Sequence, residues 1–196
     1  MKIFNKHTVL FFLFILIFSC QKTTKIVKWD QVTIDSKISE NKIYKDLNKE
    51  KEVFFFAEDR NSTLKKSSDV SFYAGKEINL NNDYARHNVC KAYFLSDTLI
   101  IRIGVETHFG GVGFKINFKN KKFNTKTYKT SDVINKEENK PTYTIAYQKL
   151  TLNKINYKIG DSLFGNIEFK SIEIDQDNNQ IQYFGKGYFR AKIQKF

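Results

Sequence analysis

From Val53 to Ile193 the apolar residues recur at every second position, and the intervals between runs are filled by Gly, Asn, Asp, Ser and Lys. That period belongs to strands with one buried face. Val53–Ala57 (VFFFA) reads as a buried strand, and Val70–Tyr73 as a short aromatic one. Val89–Leu95 and Leu99–Val105 form a hairpin around Ser96-Asp97, with Leu99, Ile101, Ile103 and Val105 on one face and Arg102, Gly104 and Glu106 on the other. After Gly110-Gly111, Val112, Phe114, Ile116 and Phe118 share a face. Lys119–Lys122 then turns the chain into Phe123–Lys129. The polar stretch from Thr130 to Pro141 is a loop, and Pro141 sits at a strand start, where a missing N–H is tolerated. Tyr143, Ile145 and Tyr147 alternate, followed by Leu150 and Leu152. Asn153-Lys154 predicts a tight turn into a strand through Ile155, Tyr157 and Ile159. Leu163–Ile174 and Ile181–Ile193 are two long strands joined at Asp175–Asn179, with Phe189, Ala191 and Ile193 directed inward.

Nine or ten strands without intervening helices predict an all-β fold. The expected form is an antiparallel β-sandwich, with a lipocalin-like β-barrel as the alternative. The β-domain is expected over 53–196. Ahead of it, 20–52 reads as a tether, with a short helix in 36–52 carried by Ile43, Tyr44 and Leu47.

The first twenty residues, MKIFNKHTVLFFLFILIFSC, are a different object. Lys2 and Lys6 precede an unbroken apolar run, Val9–Phe18, which is half the roughly 20 residues a spanning helix needs. Charge, apolar run and small residue in that order make a secretory signal over 1–19. Its end, with Ile17 at minus three, Ser19 at minus one and then Cys20, resembles the lipobox of bacterial lipoproteins. The resemblance implies cleavage before Cys20, a diacylglyceryl thioether on its sulfur and a palmitate-type acyl group on the new amino terminus. Two or more chains hold a protein stably to a bilayer. The sequence as a whole looks like the uncharacterised lipoproteins of Bacteroidota, and Gln21-Lys22 partly resembles their surface-export signal. No Asp follows Cys20 as in the enterobacterial inner-membrane signal. These features imply the outer membrane of a Gram-negative cell, on either the periplasmic or the surface side.

Cleavage would leave 177 of the 196 residues, enough for one domain with its own core. The formal charge of +12 falls to +10 without Lys2 and Lys6. Only Arg60, Arg86, Arg102 and Arg190 among the 33 basic residues are arginine. A lysine excess speaks against specific nucleic-acid reading, which favours bidentate Arg, and points first to a solvated basic surface. With Cys20 acylated, Cys90 is the one remaining thiol, and its neighbours Val89, Ala92 and Phe94 predict burial and inertness.

Candidate chemistry is sparse. Gly160-Asp161-Ser162-Leu163 resembles the nucleophile motif of GDSL esterases and lipases. That family sets its serine on a strand-to-helix turn and activates it with a downstream histidine, whereas no histidine follows His108 here. A hairpin turn is the stronger reading, and an esterase using Ser162 the remote one. Asp175, Asp177 and Asn179 imitate the start of a calcium loop, but Gln180 and Lys186 stand where glycine and glutamate are needed. Asp83, His87 and Cys90 are too few for a zinc site. The first choice for a ligand face is Arg102, Glu106 and His108 on one strand face, with Phe109 beside a glycine-rich turn. No catalytic set, metal or cofactor is expected. The expected protein is a lipid-anchored envelope module that binds an envelope protein or glycan, with a small-ligand barrel as the alternative.

Overall fold

A computed structural model of the chain describes residues 27–52, 64–75, 88–107, 109–131, 141–175 and 177–196. The signal with Cys20, the expected strand Val53–Ala57, Asp83, His87 and His108 lie outside the described residues. The fold is all-β. In chain order it comprises β1 (Asp30–Gln31), β2 (Thr33–Ile34), a 3-10 turn (Ile38–Glu40), α1 (Lys42–Leu47), β3 (Ser71–Ala74), β4 (Val89–Leu95) and β5 (Thr98–Thr107). There follow β6 (Gly110–Lys119), β7 (Lys122–Ser131), β8 (Thr142–Leu152), β9 (Ser162–Ile174) and β10 (Gln180–Gln194).

Two-residue turns set the registers of the long hairpins. Ser96 lies at φ 54° between β4 and β5, and Asn120 and Lys121 lie at φ 51° and 62° between β6 and β7. Two consecutive left-handed residues match the twist of the strands they join. Between β9 and β10 the Asp175 carboxylate accepts from the N–H groups of Asp177 and Asn179 at 2.9 and 2.8 Å, and Asn178 takes φ 63°. The calcium-like string is therefore a polar turn closed on its own backbone.

The strands form one path, β1-β7-β6-β5-β4-β10-β9-β8-β2, with β3 set against the first half of β10. The path doubles over at β10, which pairs with β9 along its length and meets β4 only at Ile193 and Gln194. Two layers result: a front layer of β1, β7, β6, β5 and β4, and a back layer of β3, β10, β9, β8 and β2. Their inner faces share one core. Phe114 of the front layer packs 4.7 Å from Phe169 of the back layer, and Phe72 lies 5.3 and 6.2 Å from the two. Ile101, Ile103, Ile116, Phe123, Leu163, Ile167 and Phe189 fill the rest, all fully buried. Burying each such side chain contributes about 1.5–3 kcal/mol.

The architecture is sandwich-like, and the sheet does not close into the alternative barrel. Where β7 and β8 would have to pair, the segment Asp30–Ile34 crosses instead. Asp30 and Gln31 pair with Phe123 and Lys122 of β7, and Thr33 and Ile34 pair with Thr151 and Leu152 of β8. Pairing is antiparallel except at two short parallel contacts, β2 with β8 and β10 with β4, so the sheet is mixed.

Two expectations along the chain change. From Asp30 onward the segment expected as tether packs into the body: α1 is six residues long, with Tyr44 and Leu47 buried. The Tyr44 hydroxyl donates to the carbonyls of Gly165 and Phe189 at 3.1 and 3.3 Å, which ties the helix to the back layer. The strand expected at Ile155–Ile159 is a loop. Side chains take the place of a ladder there: Asn153 Oδ1 accepts from Phe164 N–H (2.9 Å) and the Tyr157 hydroxyl (2.7 Å), and Asp161 Oδ2 accepts from Lys158 N–H (2.9 Å). Polar side chains that bond nearby backbone compete directly with strand pairing.

Candidate functional site

The outward face of the front layer carries Arg102 and Glu106 of the expected ligand residues. Arg102 and Glu106 are ion-paired at 3.1 Å, and Lys91 from the neighbouring β4 reaches the same carboxylate at 2.7 Å. The Arg102 guanidinium lies over the Tyr128 ring, 4.4 Å from its centre. Tyr128 in turn lies across Gly104 and Gly113, which face each other in β5 and β6: a Cβ on either would come within 2.8 Å of the tyrosine hydroxyl. Two bare backbones make room for one aromatic ring, and the ring presents its π-face to a cation. Burial raises the Tyr128 phenol above its ordinary range, while Arg102 pulls the other way. Phe109, at the β5–β6 turn, is 75% exposed.

The registers add residues that reading one strand at a time does not bring together. Lys91 stands opposite Arg102, Arg102 opposite Lys115, and Lys115 opposite Lys126. Four cations thus form one row across four strands. Glu106 is engaged by the first two, and no carboxylate pairs with Lys115 or Lys126 among the described residues. Burial, then Lys126, then Arg102 hold Lys115 below the usual lysine range. Beside this row Asn117 donates to Asn124 at 2.7 Å.

Next to the row, between β7 and β8, a groove of about 700 Å³ opens where the sheet fails to close. Lys115, Lys126, Trp29 and Tyr143 line it, as do the buried Thr125 and Thr127, whose hydroxyls have no hydrogen-bond partner among the described residues. Gln148 of β8 bonds to one of the lining residues, Thr125. The Gln148 side chain accepts from Thr125 N–H at 2.8 Å and donates to Asp30 Oδ2 at 3.0 Å, joining β8 to β7 and β1.

The other expected residues fall elsewhere. Ser162 opens β9 as an exposed residue opposite Lys192, on an antiparallel strand rather than a strand-to-helix turn. Its neighbour Asp161 is occupied by Lys154 at 2.8 Å. Cys90 is buried, and burial followed by the nearby Glu52 pushes its thiol well above the ordinary cysteine range. Among the described residues no cluster of three or more His, Cys, Asp and Glu stands ready for a metal, and no helix is long and apolar enough to cross a membrane. No family model, curated protein or solved structure matches this chain.

Proposed function

We propose that this is a lipid-anchored cell-envelope protein, acylated at Cys20, whose β-domain is a non-catalytic binding module of the Gram-negative outer membrane. The observation that carries the anchor is the order of residues ending in Ile17-Phe18-Ser19-Cys20. Support for a binding role comes from the front face, where cations, the Tyr128 ring and amide side chains stand together on paired strands. Such a face recognises a partner by charge and shape, and no step of bond chemistry is assigned to it.

A second reading has its own observation. The groove lined by Trp29 and Tyr143 has the size of a small-ligand site, and aromatic side chains beside amides suit a glycan. Isothermal titration with oligosaccharides, comparing wild type with Trp29→Ala, tests it: binding lost in the variant supports the glycan reading, and no binding by wild type removes it.

The anchor is tested by metabolic labelling with palmitate and by detergent partition. Wild type takes up label and enters the detergent phase, whereas Cys20→Ser takes up none. Label retained in Cys20→Ser would contradict the assignment. Protease digestion of intact cells then decides between the surface and periplasmic sides.

A further inference from the structure

We propose that the outward face of the front layer, centred on Lys115 and Lys126, lies against a bilayer surface made anionic by phospholipid headgroups. The inference deepens the proposed anchoring and rests on it for the nearness of a bilayer, but not for the chemistry of the face. Across the four strands Lys91, Arg102, Lys115 and Lys126 span roughly 14 Å at the ordinary strand spacing. That is the footprint of several headgroups rather than of one phosphate. The corresponding row on the back layer differs: Lys149, Glu168 and Lys186 stand in register, and Glu168 pairs with Lys186 at 3.2 Å. An acid therefore interrupts the cations on one face of the molecule, whereas among the described residues no acid pairs with Lys115 or Lys126 on the other.

Two further features lie at the same place. Val27 and Trp29 are 60% and 40% exposed at the side of β7, and both line the groove with Lys115 and Lys126. Tryptophan beside lysine suits the headgroup level of a membrane, where an amphipathic ring and a cation are both accommodated. Val27 also lies only seven residues beyond Cys20. Seven residues reach at most about 25 Å, so an anchored amino terminus delivers this side of the domain to the bilayer. Lipid anchors combined with a basic patch bind much more firmly than a single acyl chain.

The full chain reconstituted in vesicles provides the test. Lysine acylation is read by mass spectrometry in phosphatidylcholine vesicles and in vesicles containing phosphatidylglycerol. Lys126 and Lys122, exposed four positions apart on the same face of β7, should lose reactivity several-fold in the anionic vesicles and regain it at high salt, while Lys149 and Lys186 stay unchanged. The double variant Lys115→Glu, Lys126→Glu, with its circular dichroism unchanged, should lose the protection of Lys122. Each reversal weakens surface association by about fivefold or more. Equal reactivity of both faces in both kinds of vesicle would overturn the proposal. Protection by soluble polyphosphate in neutral vesicles, without added protection by phosphatidylglycerol, would also overturn it and assign the face to a soluble polyanion. The mass of the amino-terminal peptide in the same sample reports on Cys20 separately, so failure of the anchor and failure of the face are distinct results.

Discussion

Lys115 illustrates a cost carried by single residues of the front face. Its ammonium is held below the usual range by burial and by the neighbouring Lys126 and Arg102, so the folded protein binds that proton less readily than the unfolded chain. The unfolded state therefore holds more of the proton between the two pKa values, and this group's contribution to stability rises with pH across that window. Lys115→Gln should raise the urea midpoint at neutral pH, and the gain should shrink at alkaline pH. Urea titration at several pH values checks this; an unchanged or lower midpoint at neutral pH would show that the charge is well solvated. Cys90 behaves oppositely. Its thiol is raised in the fold, so its contribution is complete below the unfolded value of 9.0 and is lost as pH rises above it. Alkylation of native protein at pH 8 should be at least tenfold slower than in denaturant, where the thiolate is accessible. Peptide mass spectrometry after timed quenching reads this ratio.

Among the elements, pairs of strands carry the most information in the sequence. The hairpins β4–β5, β6–β7 and β9–β10 were legible because alternation and turn residues lie close together in the chain. Their registers follow from the turns as well: a two-residue turn at Ser96-Asp97 places Lys91 opposite Arg102, and one at Asn120-Lys121 places Lys115 opposite Lys126. Two of the three pairings in the cation row were thus available from turn geometry; the third, Arg102 with Lys115, was not, because β6 begins at Gly110, where the sequence suggests a turn. β1 and β2 left no such trace. Two residues cannot show a period, and their role is set by distant partners in β7 and β8. The loop at Ile155–Ile159 kept the alternation of a strand, but Asn153 and Asp161 captured the backbone first.

Two predictions belong to this scale. Gly113→Ala drives a Cβ into the Ile103 carbonyl oxygen and sets it 2.8 Å from the Tyr128 hydroxyl. It should cost about 1–3 kcal/mol in urea unfolding, as overpacking does. Gln148→Leu should cost a similar amount, about 1–3 kcal/mol, because the buried Thr125 N–H loses its acceptor. Amide exchange at Thr125 should accelerate in that variant while exchange in the β4–β5 hairpin stays unchanged.

At the scale of the molecule, the fold is a sheet bent into two layers and fastened where it fails to close. That seam places Trp29, Lys115 and Lys126 beside one another, and Trp29 is only nine residues along the chain from Cys20. The all-β class and the sandwich-like layering followed from the alternation in the sequence. The seam did not, because it depends on the chain crossing between edges far apart in sequence. The proposed orientation of the domain depends on the proposed anchor, and that anchor comes down to the chemistry of one sulfur, Cys20. Intact-protein and amino-terminal peptide mass spectrometry of material purified from membranes is the direct measurement. The predicted result is a chain beginning at Cys20 and carrying the mass of a diacylglyceryl group with a further acyl chain. A chain retaining Met1, or a Cys20 sulfur without lipid, would contradict it.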